Sequence, residues 1–466
     1  MNRQLKENTF QWLSKKEKDI VKISKEIWEY CELPMQETRS SRVLSDWLSR
    51  EGFRVETGTS GMPTAFLAKF SHGSGLPVIA FLAEYDALAG NSNKVVPRHE
   101  PIVNGGAGHG CGHNLIGAGN TAAAIAVKNV MQDHGISGTI SVYGTPGEEL
   151  LVAKVFMARD GLFNDCDVIL TSHPEFLTTA NANSCYSMIS TEFSFFGESC
   201  HATSTPQRGR NALDAVQVAN IAVEMRKKYM APGTVLEYVI PDGGYQPNVV
   251  PDEAKVWYFI RHPDVNCIKD AYQKIQEAVK GAAIATGTTS EEKLITGCYG
   301  YLPNERLGGV IYENAKMVGP LTFSDEEKLF ANELRRNYGL NEIEEPIHEG
   351  IEFSKGSLIP ASQDDGDASW INPLSRITCA FPKGIPYHGW GFTAVSGSSI
   401  GHKGMIYCAK TLAATAIDIL TLPEVVKEIK REHKERTREF KYKCLVPDNV
   451  KPITEDFMKH HVKTRW

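Results

Sequence analysis

Ten cysteines in 466 residues are too few for a disulfide scaffold, and none of their spacings makes the paired sets of a zinc finger. No apolar run is long enough to cross a bilayer, and the start, Met1 to Lys18, is polar with no leader-like apolar core. Basic excess is missing too: 50 Lys and Arg against 56 Asp and Glu give a net charge of −6, which argues against nucleic acid or an acidic membrane as the main partner. Low-complexity segments and internal repeats are absent. These absences predict a protein of a reducing cytoplasm.

What is there is length and one unusual loop. A chain of 466 residues exceeds an ordinary domain, so two domains, or one large domain with an insertion, are expected. Gly105 to Asn114 reads Gly-Gly-Ala-Gly-His-Gly-Cys-Gly-His-Asn; its five glycines exclude a stable helix or strand interior and predict a backbone running close to something. The loop presents His109, Cys111 and His113. Cys111 and His113 are spaced so that a thiolate and an imidazole can converge on one cation, and the helix expected over Leu115 to His134 would favour the thiolate at its N-terminus. Alone, the motif is also compatible with a glycine-rich turn around a buried thiol. A dinucleotide loop is excluded, because Gly106, Gly108 and Cys111 miss the third glycine of that fingerprint.

Around this loop, strand-like runs end in polar residues. Val78 to Ala83 is a continuous apolar run ending in Glu84-Tyr85-Asp86; Gly138 to Tyr143 leads to Gly144-Thr-Pro-Gly-Glu148-Glu149; Val168 to Thr171 ends at Ser172-His173-Pro174. The C-terminal ends of buried parallel strands are where open α/β sheets place their sites. Asp86 is a candidate ligand or ligand-orienter, or else caps a turn. Glu148 and Glu149 point in different directions, so that one can bind a metal and the other face water, or else they are N-terminal acids of a helix read over Leu150 to Phe163.

From Cys185 the texture changes. Ile189, Thr191, Phe193 and Phe195 alternate with more polar neighbours, helices are expected over Asn211 to Lys228 and Ile268 to Ala285, and an alternating strand lies within Val249 to Arg261. This is an α+β insertion of small-domain size. His201 follows its first strand in a loop. Later come His388, in Pro-Tyr-His-Gly-Trp, His402 before the helix Gly404 to Leu420, and a charged helical tail over Glu424 to Lys443, expected to be a solvated face.

In order, Ala83-Glu-Tyr-Asp-Ala-Leu88, Gly108-His-Gly-Cys-Gly-His-Asn114, Gly144-Thr-Pro-Gly-Glu-Glu149, Ser172-His-Pro174, Gly197 to Thr203, Asn248-Val-Val-Pro-Asp252 with Arg261, and Gly366-Asp-Ala-Ser-Trp370 resemble the M20 metallopeptidase family, in its amidohydrolase branch. The resemblance implies an α/β catalytic domain with a central mixed sheet flanked by helices, plus an inserted small α+β dimerisation domain. It divides the chain into residues 1–184 and 301–446 for the catalytic domain, 185–300 for the insertion, and 447–466 for a C-terminal tail. It implies two divalent ions in each protomer, zinc or manganese, held by Cys111, His113, Glu149, His173 and His388, with Glu148 as general base and Asp86 as the acid that orients a ligand. His201 would reach the partner protomer's active site and help hold the oxyanion, while Asn248 and Arg261 would lie near the substrate. A homodimer through the insertion follows. There are departures. Glu84 stands where better-known members carry His, so the first metal site is built differently, and His388 and His402 compete as the last ligand, with His388 preferred because it follows an extended segment.

The expected chemistry is metal-assisted hydrolysis of an N-acyl or N-aroyl amino acid, of the p-aminobenzoyl-glutamate kind, or of a dipeptide. Arg261 would hold the substrate carboxylate, and segments around Asn181 to Ser184 and Gly350 to Ser362 would select the substrate. Two competing readings are a binding protein that kept the fold, and a thiol hydrolase with Cys111 as nucleophile and His113 as base. The second leaves the other histidines unexplained.

Overall fold

The computed structural model describes residues 2–461. Twelve strands form two sheets among these residues. The larger sheet holds β1 (Arg54–Thr57), β2 (Phe66–His72), β3 (Val78–Ala83), β4 (Gly138–Gly144), β5 (Val168–Glu175), β6 (Thr179–Cys185), β11 (Glu352–Ile359) and β12 (Leu374–Ala380). The smaller holds β7 (Ser187–Phe196), β8 (Val235–Asp242), β9 (Glu253–His262) and β10 (Thr289–Cys298). Spatial order in the larger is β1-β2-β4-β3-β5-β12-β6-β11; β4, β3, β5 and β12 run parallel, β2 and β6 lie antiparallel on either side of them, β1 pairs antiparallel with β2, and β11 pairs parallel with β6. The smaller sheet is antiparallel, in the order β10-β7-β9-β8.

The apolar run of β3 is buried because helices cover it. The helix His113–His134 crosses this strand and packs on the helix Ser399–Thr421. Its small residues allow the close approach: a Cβ at Gly117 would lie 2.6 Å from the Glu84 carbonyl oxygen, and one at Gly119 would lie 2.8 Å from Met405 Cγ. The long N-terminal helix Asn2–Tyr30 completes that layer, burying Leu13, Ile20, Ile27 and Trp28. On the smaller sheet, the helices Ala212–Lys227 and Val265–Thr286 pack together and cover one face.

Several local expectations change. The helix expected over Leu150 to Phe163 is a single 3-10 turn, Glu148–Leu150, followed by a short helix Ala153–Arg159. Leu151 stops the turn in the left-handed region, at φ 57°, where its N–H donates to the Glu148 carbonyl. Strand β5 runs on through His173 and Pro174 to Glu175. A proline is tolerated there because β3 pairs with β5 only as far as Leu170, so Pro174 meets no ladder on that side. The charged tail is helical only over Pro423–Arg436. Beyond it the chain docks: Phe440 and Tyr442 pack on Tyr299, and Tyr442 Oη donates to Asp367 Oδ1 at 2.6 Å. The tail from 447 continues as the helix Glu455–His461, which buries Phe457 and Met458; residues 462–466 lie outside the described residues.

The chain passes between the sheets twice, at Tyr186 and again after Cys298. The two crossings run side by side, so that a Cβ at Gly300 would lie 2.3 Å from the Cys185 carbonyl oxygen, while the Gly300 N–H donates to Ser187 Oγ at 2.8 Å.

Candidate active site

Strand ends and the glycine loop converge at one place. Glu84 and Asp86 follow β3, Glu148 and Glu149 follow β4, His173 lies in β5, and His113 is the first residue of its helix. Gly112, between Cys111 and His113, sits at φ 78°, and a Cβ there would lie 2.8 Å from Pro174 Cγ. Only glycine lets Cys111 and His113 turn inward against β5.

Asp86 is the organiser. Its Oδ1 accepts from His113 Nδ1 at 2.8 Å, and its Oδ2 accepts from the Glu149 N–H at 3.0 Å. The first bond fixes Nδ1 as the donor, so that the neutral ring of His113 presents its lone pair at Nε2. That nitrogen is fully buried, has no hydrogen-bond partner, and lies 3.6 Å from Glu84 Oε2, 3.7 Å from Glu148 Oε2 and 3.9 Å from Glu149 Oε1. His173 donates through Nδ1 to the Pro174 carbonyl at 2.7 Å, turning Nε2 toward Cys111 Sγ at 3.4 Å. His388, held in the left-handed region at φ 54°, brings its Nε2 to 3.6 Å from Glu149 Oε2.

Two ligands about 2.1 Å from one ion at the tetrahedral angle lie about 3.4 Å apart. The spacings above are of that size. Three overlapping donor sets result: Cys111 with His113 and His173, Cys111 with Glu149 and His388, and Glu84 with His113 and Glu148. Bare buried acceptors on His113, Glu84 and Glu149 would be costly with nothing between them, and a cation is the partner their chemistry fits. The residues fit two ions.

Electrostatics set the protons that an ion would displace: although burial lowers His113, Cys111 and Asp86 outweigh it and raise the ring well above the usual imidazole range. Burial pushes Glu148 well above the usual carboxylate range, and the charge of Glu84 adds to it; burial likewise raises Glu149 to about 8. Glu84 moves the other way, because Lys154, His113 and His173 outweigh burial and hold it at about 2. Burial, with His113, His173 and Arg261 nearby, takes His388 down to about 4, leaving it a neutral imidazole near pH 7. The Cys111 thiol is raised by burial and by Glu149, which outweigh the favourable pull expected of the helix N-terminus. A bound cation is what would reverse that order.

The centre floors a cleft of about 450 Å³ lined by Cys111, Glu148, Glu149, His173 and His388 from one side and by Glu237, Phe259 and Arg261 of the smaller sheet from the other. Arg261 pairs with Glu237 at 2.9 Å. Of the segments expected to select substrate, Ile359 to Gln363 line the cleft, whereas Asn181 to Ser184 do not; they lie in β6, between β12 and β11. His402 lies elsewhere, in the helix Ser399–Thr421, beside Lys25 and Ser398. His109 is also apart, its Nε2 bonded to the Ile27 carbonyl at 3.0 Å. His201 and Asn248 are exposed and do not line the cleft, but they neighbour each other, since Ala202 N–H donates to the Asn248 carbonyl at 3.0 Å.

Residues 185–286 match the model of the peptidase dimerisation domain of the M20 family. Over 458 residues the chain is 34% identical to one of the subunits of p-aminobenzoyl-glutamate hydrolase from Escherichia coli strain K12, covering 92% of this chain and 95% of that one. The chain belongs to the M20 metallopeptidase family. It is a hydrolase of amide or peptide bonds. A human Xaa-Arg dipeptidase is 27% identical over 440 residues, covering 90% of this chain and 89% of that one. The fold is shared with a dinuclear metal-binding M20 peptidase from Bacillus subtilis, at a TM-score of 0.56 and 16% identity over 87% of this chain and 98% of that one.

Sequence reasoning passed over two groups at this site. Lys154 is fully buried, with Nζ 2.8 Å from Glu84 Oε1 and 2.5 Å from Asp364 Oδ1. A lysine inside the apolar run Ala153-Lys-Val-Phe-Met157 was the available signal, since a buried lysine requires a paired acid. Tyr387, whose hydroxyl donates to Glu175 Oε2, also lines the cleft; nothing in its sequence context marks it.

Proposed function

We propose that this protein hydrolyses the amide bond of an N-acyl or N-aroyl amino acid, of the p-aminobenzoyl-glutamate type. The observation that carries the reading is the cleft itself, with three overlapping donor sets and a raised carboxylate, Glu148, on one wall and a guanidinium, Arg261, on the other. Cys111, His113, Glu149, His173 and His388 would hold two divalent ions, with zinc favoured by the thiolate and imidazoles and manganese by the carboxylates. When bound, the ions supply Lewis-acid polarisation and acidify water. Asp86 orients His113 and the Glu149 backbone. Glu148 takes the proton of the attacking water and delivers it to the leaving nitrogen; a base whose carboxyl is raised toward neutrality suits both transfers. Arg261 receives the substrate carboxylate, exchanging its pairing with Glu237 for a bidentate one.

The working unit in this reading is a homodimer formed through residues 185–300. The helix Ala212–Lys227 and the edge strand β8 support it, for they expose Ile221, Met225 and Val239 at 57%, 65% and 57%, an apolar face of the kind that marks an interface. His201, exposed and away from its own cleft, would then serve the oxyanion in the partner's cleft, and its neighbour Asn248 would travel with it. The dipeptidase relative keeps dipeptides as the second substrate class.

The test is to strip the protein with a chelator and assay p-aminobenzoyl-glutamate, N-acyl amino acids and dipeptides, with and without added zinc, manganese or cobalt. Restored release of a free amino acid is expected, and Glu148→Ala should lower turnover by about 10²–10⁴-fold with metal content retained. Activity indifferent to stripping, or metal bound with no amide cleaved, overturns the reading.

A further inference from the structure

Glu84 is used on both sides. Its Oε1 is bound by Lys154 Nζ at 2.8 Å, and the same ammonium meets Asp364, which also accepts from the Lys154 N–H at 2.9 Å. All three side chains are buried. This clamp fixes the carboxylate plane, and the other oxygen, Oε2, is left buried with no hydrogen-bond partner, 3.6 Å from the equally bare His113 Nε2. Salt-bridge geometry alone does not account for that orientation, because a carboxylate serving only Lys154 gains nothing by turning its second oxygen into a dry site. The distance is that of two neighbours in one coordination sphere. Nδ1 of His113 serves Asp86, so only Nε2 is left for an ion and the ring commits to a single one; of the carboxylate oxygens around that nitrogen, Glu84 Oε2 at 3.6 Å is nearer than Glu148 Oε2 at 3.7 Å or Glu149 Oε1 at 3.9 Å, and it is the one held in place by a buried lysine.

We propose that Glu84 is itself a ligand of the divalent ion bound by His113, with Lys154 as the positioning residue that aims it. The inference rests on the two-ion reading above and adds a donor to it. An acidic oxygen makes this the harder of the two seats, opposite in character to one built on Cys111.

Glu84→Gln keeps the shape and an acceptor for Lys154, while Asp364 still balances the lysine charge. Metal content by elemental analysis, affinity by chelator competition and the visible spectrum of the cobalt-loaded protein read out the seat directly, without turnover. The expected result is one ion of the two held at least about tenfold more weakly, a changed cobalt spectrum, and a larger loss for manganese than for zinc. Glu84→Asp, which keeps the charge but withdraws the oxygen by one methylene, should weaken the same ion, and it stands in if the glutamine variant does not fold. Two ions held with unchanged affinity and an unchanged spectrum in these variants refute the role of Glu84 and leave the two-ion reading intact. A wild-type protein that takes up no ion refutes both.

Discussion

Asp86→Asn is the sharpest perturbation the site offers, because it changes charge and almost no volume. The carboxylate now satisfies two donors at once, His113 Nδ1–H at 2.8 Å and the Glu149 N–H at 3.0 Å. An amide has one acceptor oxygen, so its NH₂ must face one of these donors. If the oxygen stays on His113, the Glu149 peptide is left opposed to a donor, and the turn that carries Glu148 and Glu149 loses its anchor; if it turns to Glu149, His113 loses its tautomer lock. A hydrogen bond to a charged group contributes about 1.5–3 kcal/mol, and partners of metal ligands lost in this way typically cost about 10–100-fold in metal affinity or activity. That range corresponds to about 1.4–2.8 kcal/mol. Chelator competition on the folded variant, together with kcat/KM after saturating metal is restored, measures it. Affinity and kcat/KM both within about twofold of wild type, in a protein with normal thermal unfolding, would refute the argument that Asp86 organises the centre.

Metal affinity should depend on pH with a definite sign. The Cys111 thiol is raised by burial, Glu149 by burial to about 8, and His113, against its burial, by Cys111 and Asp86, so all three carry protons near pH 7 that an ion must displace, while His388, at about 4, carries none. The apparent association constant should therefore rise by at least about tenfold per pH unit between pH 6 and 8; a flat profile by competition titration would contradict that protonation pattern. Where the chain crosses between the two sheets, a Cβ at Gly366 would lie 2.0 Å from the Tyr299 carbonyl oxygen, backbone that cannot swing aside. Gly366→Ala should destabilise by about 1–3 kcal/mol, and an unchanged denaturant midpoint would show that the crossing is looser than described.

How much of this was legible in the sequence depended on the kind of signal. The apolar run of β3 and the Ala-rich helix from Leu115 declared themselves, since their burial is written in composition. The triple of strand-end acids and His173 was found because polar residues at the ends of apolar runs are visible without geometry. Other features were not. The helix read from Leu150 depended on apolar content that in fact serves packing around a 3-10 turn broken at Leu151, and the docking of Tyr442 on Asp367 is a contact across 75 residues. His201 and Asn248 remained unlinked in the sequence because their adjacency is made by a backbone pairing between distant loops.

The two side-by-side crossings at Cys185 and Gly300 give the molecule a particular mechanical character. Every residue of the three donor sets belongs to the larger sheet and its loops, and Glu237, Phe259 and Arg261 belong to the smaller. A rotation about the line through the crossings would open or shut the distance between Arg261 and the donors while leaving the donors' mutual spacing untouched. In the proposed function, the group that meets the substrate carboxylate and the groups that hold the ions therefore sit on separate sheets.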